Sequence, residues 1–125
     1  MIYGIGTDIV EVDRIAVKIE KGKGFRDLVF TAHEIAYCEQ QVHPAQHYAA
    51  RFAAKEAFLK AMGTGWGYGK INFNEIEIVN NEHGKPLLQL TGTAVASYSE
   101  LQIKQIHVSL SHVKATAVAM VLIEV

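Results

Sequence analysis

Glu56 is the first residue of this sequence that needs a chemical explanation. It lies in a run of good helix formers, residues 51–65, at helical spacing from Phe52, Leu59 and Lys60. A carboxylate on a mostly apolar stripe needs a partner, because burying an unpaired charge is expensive. Either Lys60 pairs with Glu56 or a bound cation does.

Asp8 is the second candidate carboxylate. The alternation over residues 1–10 predicts a strand on which Gly4, Gly6 and Asp8 share one face. Two glycines leave open space beside the carboxylate, which is typical of a bulge or of a close approach by a ligand. The alternative is that Asp8 caps a helix beginning near Ile9 or ends the strand at a turn.

Basic residues surround Glu56 along the same helix. Arg51 and Lys55 are four positions apart, and an anion between them would relieve their repulsion. Mg²⁺ is bound by one or two protein carboxylates together with substrate phosphates, so Asp8 and Glu56 would suffice for it. The set indicates a cation and a phosphate-bearing ligand beside the helix, unless Glu56 and Lys60 form only an ordinary surface ion pair.

Composition limits the remaining function classes. A chain of 125 residues, 50% of them hydrophobic, predicts one domain over residues 1–125. The formal net charge of −1 gives no reason to expect nucleic acid. Neither a membrane-spanning apolar run nor a basic leader is found, so we expect a cytoplasmic protein. The single cysteine, Cys38, excludes an internal disulfide and has no basic neighbours to activate it.

The order of predicted elements is strand, helices, two strands, helix and two strands. This order predicts an α+β domain with a mostly antiparallel sheet packed on helices. Thr31 and Glu34 form a predicted capping box, Gly63 is a predicted helix C-cap, and Thr91 or Thr93 caps the last helix. The predicted bounds are strands at 1–10, 71–79 and 87–90, helices at 25–41, 46–62 and 93–101, and a hairpin formed by 106–111 and 115–125.

Three further features each have two interpretations. The glycine-rich run at 63–70 either lies against a ligand or only turns the chain. The mild basic excess at 11–26 is either a solvated face or a docking patch for an acidic partner. One face of the first hairpin strand carries His107, Ser109 and Ser111, and this face is either the wet side of a sheet or the lining of a groove.

Three segments resemble the signature motifs of a known family. They are residues 4–11 (GIGTDIVE), 51–57 (RFAAKEA) and 60–65 (KAMGTG). The chain resembles the holo-[acyl-carrier-protein] synthases, the small, single-domain class of 4′-phosphopantetheinyl transferases, over nearly its whole length. The resemblance implies the 4′-phosphopantetheinyl transferase fold. It also implies transfer of the 4′-phosphopantetheine group of coenzyme A to a serine of apo acyl carrier protein, in fatty acid biosynthesis, with release of adenosine 3′,5′-bisphosphate.

The same resemblance implies roles for individual residues. Asp8 and Glu56 would bind Mg²⁺, and with Lys60, near the phosphates, they would form the catalytic set. Arg14 would dock the acidic carrier protein, and His112 is expected only in a turn. The positions implied around coenzyme A are Arg51, Lys60, Gly63, Thr64, Gly65 and His107.

The resemblance also implies a homotrimer with active sites at the subunit interfaces. Two questions about the chemistry stay open. The base for the serine proton is either Glu56 or a metal-held water. The rival functions are a non-catalytic carrier-protein or nucleotide-binding module on the same fold, and a relative that serves a specialised carrier protein.

Overall fold

An antiparallel three-stranded sheet covered by one long helix forms the centre of the molecule. The computed structural model describes residues 1–63 and 71–125. The sheet has the strand order β1-β5-β4. Its strands are β1 (Ile2–Glu11), β4 (Gln105–His112) and β5 (Thr116–Glu124). Because β1 continues to Glu11, Asp8 lies within the strand, and the alternative that it caps a helix or ends the strand is wrong.

Helices and a second, two-stranded antiparallel sheet complete the described part of the chain. The helices are α1 (Val12–Glu20), α2 (Lys23–Val29), α3 (Ala32–Glu39), α4 (Pro44–Met62) and α5 (Thr93–Ser97). The second sheet pairs β2 (Ile76–Asn80) with β3 (Pro86–Leu90). The predicted α+β class is therefore confirmed. No helix in these two described ranges is long and apolar enough to cross a membrane.

The single helix predicted over residues 25–41 is wrong, because α2 and α3 are separated by a break. Phe30 has an extended backbone, with φ −114° and ψ 146°. The predicted capping box follows it: the Glu34 N–H donates to Thr31 Oγ1 at 3.1 Å, and the Thr31 N–H donates to Glu34 Oε1 at 2.9 Å. A capping residue has a non-helical backbone, so this box ends any helix that arrives from Phe25.

Two predicted elements are shorter in the structure. The strand predicted at 71–79 is limited to β2, because a 3-10 turn occupies Phe73–Glu75. The helix predicted at 93–101 is α5 followed by a second 3-10 turn, Ser99–Leu101.

The start of α5 is not capped by a threonine side chain. Its N-cap is Gly92, at φ 57°, and neither Thr91 nor Thr93 fills that role. The Glu75 carboxylate accepts hydrogen bonds from the N–H and the hydroxyl of Thr93. A Cβ at Gly92 would lie 2.2 Å from Glu75 Oε2, and the backbone angles there, φ 57° and ψ −136°, favour glycine.

Helix α4 lies directly on the backbone of β1. A Cβ at Gly4 would meet the Ala61 carbonyl oxygen at 1.9 Å, and one at Gly6 would meet the Ala57 carbonyl oxygen at 2.0 Å. The two glycines therefore admit the helix rather than a ligand, and the open space expected beside Asp8 is occupied by α4. This correction matters for function, because the close approach brings the polar residues of α4 to the strand.

Candidate active site

A cleft between β1, α1 and α4 gathers charged side chains from distant parts of the sequence. Asp8 enters it from β1, Arg14 and Lys18 from α1, and Glu56 from α4. The cleft has a volume of about 340 Å³. The structure thus brings Asp8 and Glu56 together, as expected from the sequence, and places Arg14 and Lys18 beside them.

The two carboxylates line the same cleft because of the strand–helix contact. Asp8 shares the inward side of β1 with Gly6, since alternate residues of a strand face the same way. Glu56 precedes Ala57, whose carbonyl oxygen lies against Gly6. Both acids are partly buried.

Lys60 joins this group through Asp8 rather than through Glu56. Its Nζ donates to Asp8 Oδ1 at 3.0 Å and to the Thr7 carbonyl oxygen at 3.1 Å. The Asp8 side chain is 12% exposed and that of Lys60 is 52% exposed. Among the described residues, the ion pair that Lys60 forms runs across to β1, so the ordinary Glu56–Lys60 pair is not the arrangement found.

The donor set suits a magnesium ion. Asp8 and Glu56 provide hard carboxylate oxygens from two elements, which matches the one or two carboxylates that Mg²⁺ takes from proteins before waters and phosphates complete its octahedron. Within residues 1–63 and 71–125, no group of three or more His, Cys, Asp or Glu side chains is arranged to hold a metal. The fit therefore rests on this pair of acids.

Lys18 also lines the cleft, although the sequence indicated it only as part of the mild basic excess at residues 11–26. It stands one helical turn after Arg14, and that spacing was the available signal. Its Nζ lies 5.2 Å from the centroid of the Phe25 ring, within the range of a cation–π contact. The two cations give α1 a basic edge beside the carboxylates.

Lys55 does not take part in anion binding, contrary to the sequence hypothesis. Its side chain is fully buried, and Nζ donates to Glu34 Oε1 at 2.8 Å and to the carbonyl oxygens of Phe73 and Ile76 at 3.0 and 2.6 Å. Burial lowers the pKa of Lys55, and the adjacent Glu34 carboxylate opposes that shift. Since all three ammonium protons are satisfied, Lys55 is part of the core.

Arg51 lies outside the cleft, next to the second sheet. It is 3% exposed, its Nη2 donates to Asn80 Oδ1 at 2.7 Å, and its Cζ lies 4.0 Å from the centroid of the Tyr37 ring. Its buried Nε has no hydrogen-bond partner among the residues that the structure describes. Arg51 is therefore separate from Asp8 in the structure, and its buried Nε is a donor that a ligand could satisfy.

His107 lies on the opposite, outer face of the three-stranded sheet. Its Nε2 contacts Glu124 Oε1 at 2.5 Å, and this hydrogen bond lowers the pKa of Glu124. Because Asp8 points to the inner face, one copy of the chain does not place His107 in the cleft. Three exposed apolar residues lie on the same outer face of the sheet as His107. They are Ile5, Val118 and Met120, which are 60%, 37% and 49% exposed.

The remaining residues singled out in the sequence are Gly63, Thr64, Gly65, His112 and Cys38. Gly63 ends α4 with φ 79°, as predicted for a left-handed cap. Thr64, Gly65 and the aromatic residues that follow lie outside the described residues. His112 belongs to the end of β4 rather than to a turn, and its Nδ1 contacts Gln46 Oε1 at 3.0 Å. Burial raises the pKa of Cys38 to about 12, which removes it as a thiolate nucleophile.

Fold and cleft together define an α+β protein with two carboxylates and a set of cations gathered at one site. Comparison with known proteins makes the class specific. The family model for the 4′-phosphopantetheinyl transferase superfamily matches residues 4–120. The holo-[acyl-carrier-protein] synthase of Geotalea daltonii is 46% identical over 125 residues, which is 99% of this chain and 99% of the relative.

Solved structures agree with the sequence relatives. The crystal structure of the holo-[acyl-carrier-protein] synthase from Neisseria meningitidis has a TM-score of 0.89 at 38% identity, covering 99% of each chain. The Bacillus anthracis enzyme, solved in complex with CoA (3′,5′-ADP), has a TM-score of 0.81 at 36% identity and covers 99% of this chain and 97% of that one. This chain therefore belongs to the 4′-phosphopantetheinyl transferase superfamily, and the predicted family is confirmed.

Proposed function

We propose that this chain transfers the 4′-phosphopantetheine group of coenzyme A to a serine of apo acyl carrier protein, with Mg²⁺ as its cofactor. The observation that carries the proposal is the cleft in which Asp8 and Glu56 face Arg14 and Lys18, with Lys60 on Asp8. It lies in a chain that matches a holo-[acyl-carrier-protein] synthase from end to end. The proposed compartment is the cytoplasm.

Asp8 and Glu56 are the proposed magnesium ligands. When bound, the ion would supply positive charge to the pyrophosphate of coenzyme A. The contribution of the chain itself is to hold both carboxylates at the edge of α4 by the glycine contact with β1. Such alignment and charge neutralisation account for most of catalysis in phosphoryl transfer.

The proposed reaction exchanges one phosphorus–oxygen bond for another. The serine oxygen forms a bond to the phosphorus nearest the pantetheine arm as the bridging bond of the pyrophosphate breaks. The bridging oxygen leaves with its electron pair on adenosine 3′,5′-bisphosphate, where Lys60 is assigned to balance the charge. The serine proton passes to Glu56 or to a water in the cleft.

Coenzyme A and its carrier protein are assigned to different borders of the cleft. Gly63, Thr64 and Gly65 follow Lys60 in sequence and are proposed to line the coenzyme. Arg51 lies outside the cleft, and its Nε, which has no partner among the described residues, supports contact with a more distant part of the same coenzyme. Arg14 and Lys18 are proposed to meet the acidic carrier protein, since charge complementarity steers and orients such an encounter.

The outer face of the three-stranded sheet is the proposed interface of a homotrimer. Its exposed Ile5, Val118 and Met120 form an apolar surface of the kind that marks a protein contact. His107 belongs to that face, so in a trimer it would reach a coenzyme held by a neighbouring copy. Sedimentation equilibrium measures the number of chains, and a monomer with full activity would contradict this arrangement.

Mass spectrometry of the carrier protein tests the transferase function. Incubated with coenzyme A, Mg²⁺ and this chain, apo acyl carrier protein should gain the mass of one phosphopantetheine group. The Asp8→Ala and Glu56→Ala variants should lose this gain. Glu82→Ala, which removes a carboxylate that is 86% exposed in the β2–β3 turn, is the matched control and should retain it.

Each negative outcome has a distinct meaning. No mass gain with several apo carriers would overturn the transferase and leave a binding module. Full activity of Asp8→Ala or Glu56→Ala would overturn the metal assignment alone.

A further inference from the structure

The Lys60 ammonium contacts one oxygen of Asp8, a carboxylate proposed to bind the metal ion. It donates to Asp8 Oδ1 at 3.0 Å and at the same time to the Thr7 carbonyl oxygen at 3.1 Å. We propose that Lys60 closes the cation site in the coenzyme-free protein and must leave Asp8 before a metal ion binds there. This inference rests on the proposed function, since it concerns the same cation and the same coenzyme.

The surroundings of Asp8 make the competition direct. The carboxylate is only 12% exposed, so few approaches to it remain once Lys60 is in place. A metal ion bound to Asp8 would lie beside the Lys60 ammonium. Two positive charges in contact with the same carboxylate repel each other strongly where water is partly excluded. Occupation by Lys60 therefore weakens the binding of a metal ion to this carboxylate.

Lys60 can leave, in contrast to a core lysine. Its side chain is 52% exposed, and its flexible four-carbon stem lets the ammonium move while the backbone of α4 stays in place. The displaced ammonium needs another anion, and the phosphates of an incoming coenzyme A provide one. One side chain would thus hold Asp8 in the empty enzyme and a phosphate in the loaded enzyme.

This exchange couples the two ligands. A phosphate that draws Lys60 away uncovers Asp8 for the cation, and a cation on Asp8 releases Lys60 for the phosphate. Such coupling is reciprocal by thermodynamic necessity, so each ligand raises the affinity for the other by the same factor. It also gives a reason why the cleft would hold little metal without its substrate.

Manganese binding to the coenzyme-free chain tests the exchange without reference to catalysis. Free Mn²⁺ is measured by electron paramagnetic resonance in titrations of the wild-type chain and of Lys60→Met, with Lys60→Gln as a second variant if the first does not fold. Loss of the charge-assisted hydrogen bond to Asp8 should tighten Mn²⁺ binding by about tenfold or more. An improved metal affinity on removal of a proposed catalytic residue is the expected signature.

Arg14→Met separates direct competition from general electrostatics. Arg14 is a cation of the same cleft, on α1. Its removal should tighten Mn²⁺ binding by no more than about threefold, because exposed charges are screened by water and salt. Equal gains in Arg14→Met and Lys60→Met, no gain in the Lys60 variants, or no Mn²⁺ binding by any of these proteins would overturn the exchange. None of these results would alter the mass gain of the carrier protein, so the two proposals fail independently.

Discussion

Helix α4 carries two lysines that pair with carboxylates in opposite surroundings. Lys55 and Glu34 are both fully buried, whereas the side chains of Lys60 and Asp8 are 52% and 12% exposed. Among residues 1–63 and 71–125, the Lys55 ammonium has three acceptors and that of Lys60 has two. One helix therefore presents a lysine whose bonds are complete and another whose bonds can be exchanged.

The buried pair connects several elements. Besides Lys55, Glu34 accepts hydrogen bonds from the N–H of Thr31 and from the N–H of Ile78, at 2.9 Å each. Through these contacts α3, α4 and β2 share one ionic centre. Its effect on the cleft is indirect: by fixing how α4 is rotated, it presents Glu56 and Lys60 to β1. The difference teaches that similar ion pairs on one helix can serve structure and chemistry separately.

The largest predicted effect comes from breaking the buried pair. Lys55→Met leaves the Glu34 carboxylate buried without its cation, which should lower the free energy of unfolding by about 3–5 kcal/mol. Urea denaturation measures the loss. Lys60→Met is the matched control, and because that lysine is half-exposed its cost should stay within about 1 kcal/mol.

A double substitution checks the cause of this loss. Lys55→Met combined with Glu34→Gln removes the uncompensated charge and should recover part of the stability. If Lys55→Met and Lys60→Met prove equally stable, or if the double variant is no better than Lys55→Met alone, the distinction between the two pairs is wrong.

Much of this arrangement could be predicted from the sequence. The strand bearing Asp8, the main helix and its Gly63 cap follow from alternation, helix propensity and a glycine suited to positive φ. The assignment of Asp8 and Glu56 to one shared site depended on resemblance to a family, since composition and spacing alone favoured an ordinary Glu56–Lys60 ion pair over a bound cation.

The orientation of Lys55 could not be predicted in the same way. Helix α4 is buried on most of its circumference, so its apolar pattern does not say which side meets the sheet. Spacing alone placed Arg51 and Lys55 on one face but could not show that this face is internal. Alternation placed His107 on one face of its strand together with Ser109 and Ser111. It could not show whether α4 covers that face, because this depends on tertiary packing.

The second prediction separates Asp8 from Lys60 while leaving the buried Glu34–Lys55 pair intact. Gly6→Ala places a Cβ 2.0 Å from the Ala57 carbonyl oxygen. The helix must shift away from β1, which should cost about 1–3 kcal/mol and separate Asp8 from Lys60. Denaturation and the carrier mass assay should both show the loss.

Gly24→Ala is the control for this prediction. A Cβ at Gly24 meets nothing within 4 Å, and alanine is a better helix former, so stability should change by no more than about 1 kcal/mol. Full carrier modification by a stable Gly6→Ala protein would mean that the close strand–helix contact is not needed to assemble the cleft.

His47 is another ionisable side chain of α4 that can be compared with Lys55 and Lys60. Its substitution is expected to have the smallest effect on stability. Burial lowers its pKa, and the facing His112, Arg51 and His43 lower it further. Because the pKa is lower in the folded state, the unfolded chain takes up the proton first as the pH falls. The stabilising contribution is complete above the ordinary histidine pKa and is lost as the pH drops through the folded value.

Acid sensitivity of unfolding should therefore depend in part on His47. Between about pH 7 and about pH 5, the free energy of unfolding should fall more in the wild-type chain than in His47→Gln, as measured by denaturation at each pH. An identical fall in both proteins would contradict the prediction. Burial lowers the pKa of both His47 and Lys55, but at Lys55 the adjacent Glu34 carboxylate opposes that shift. Lys60, only half-buried, is the one of the three whose charge is free to change partners.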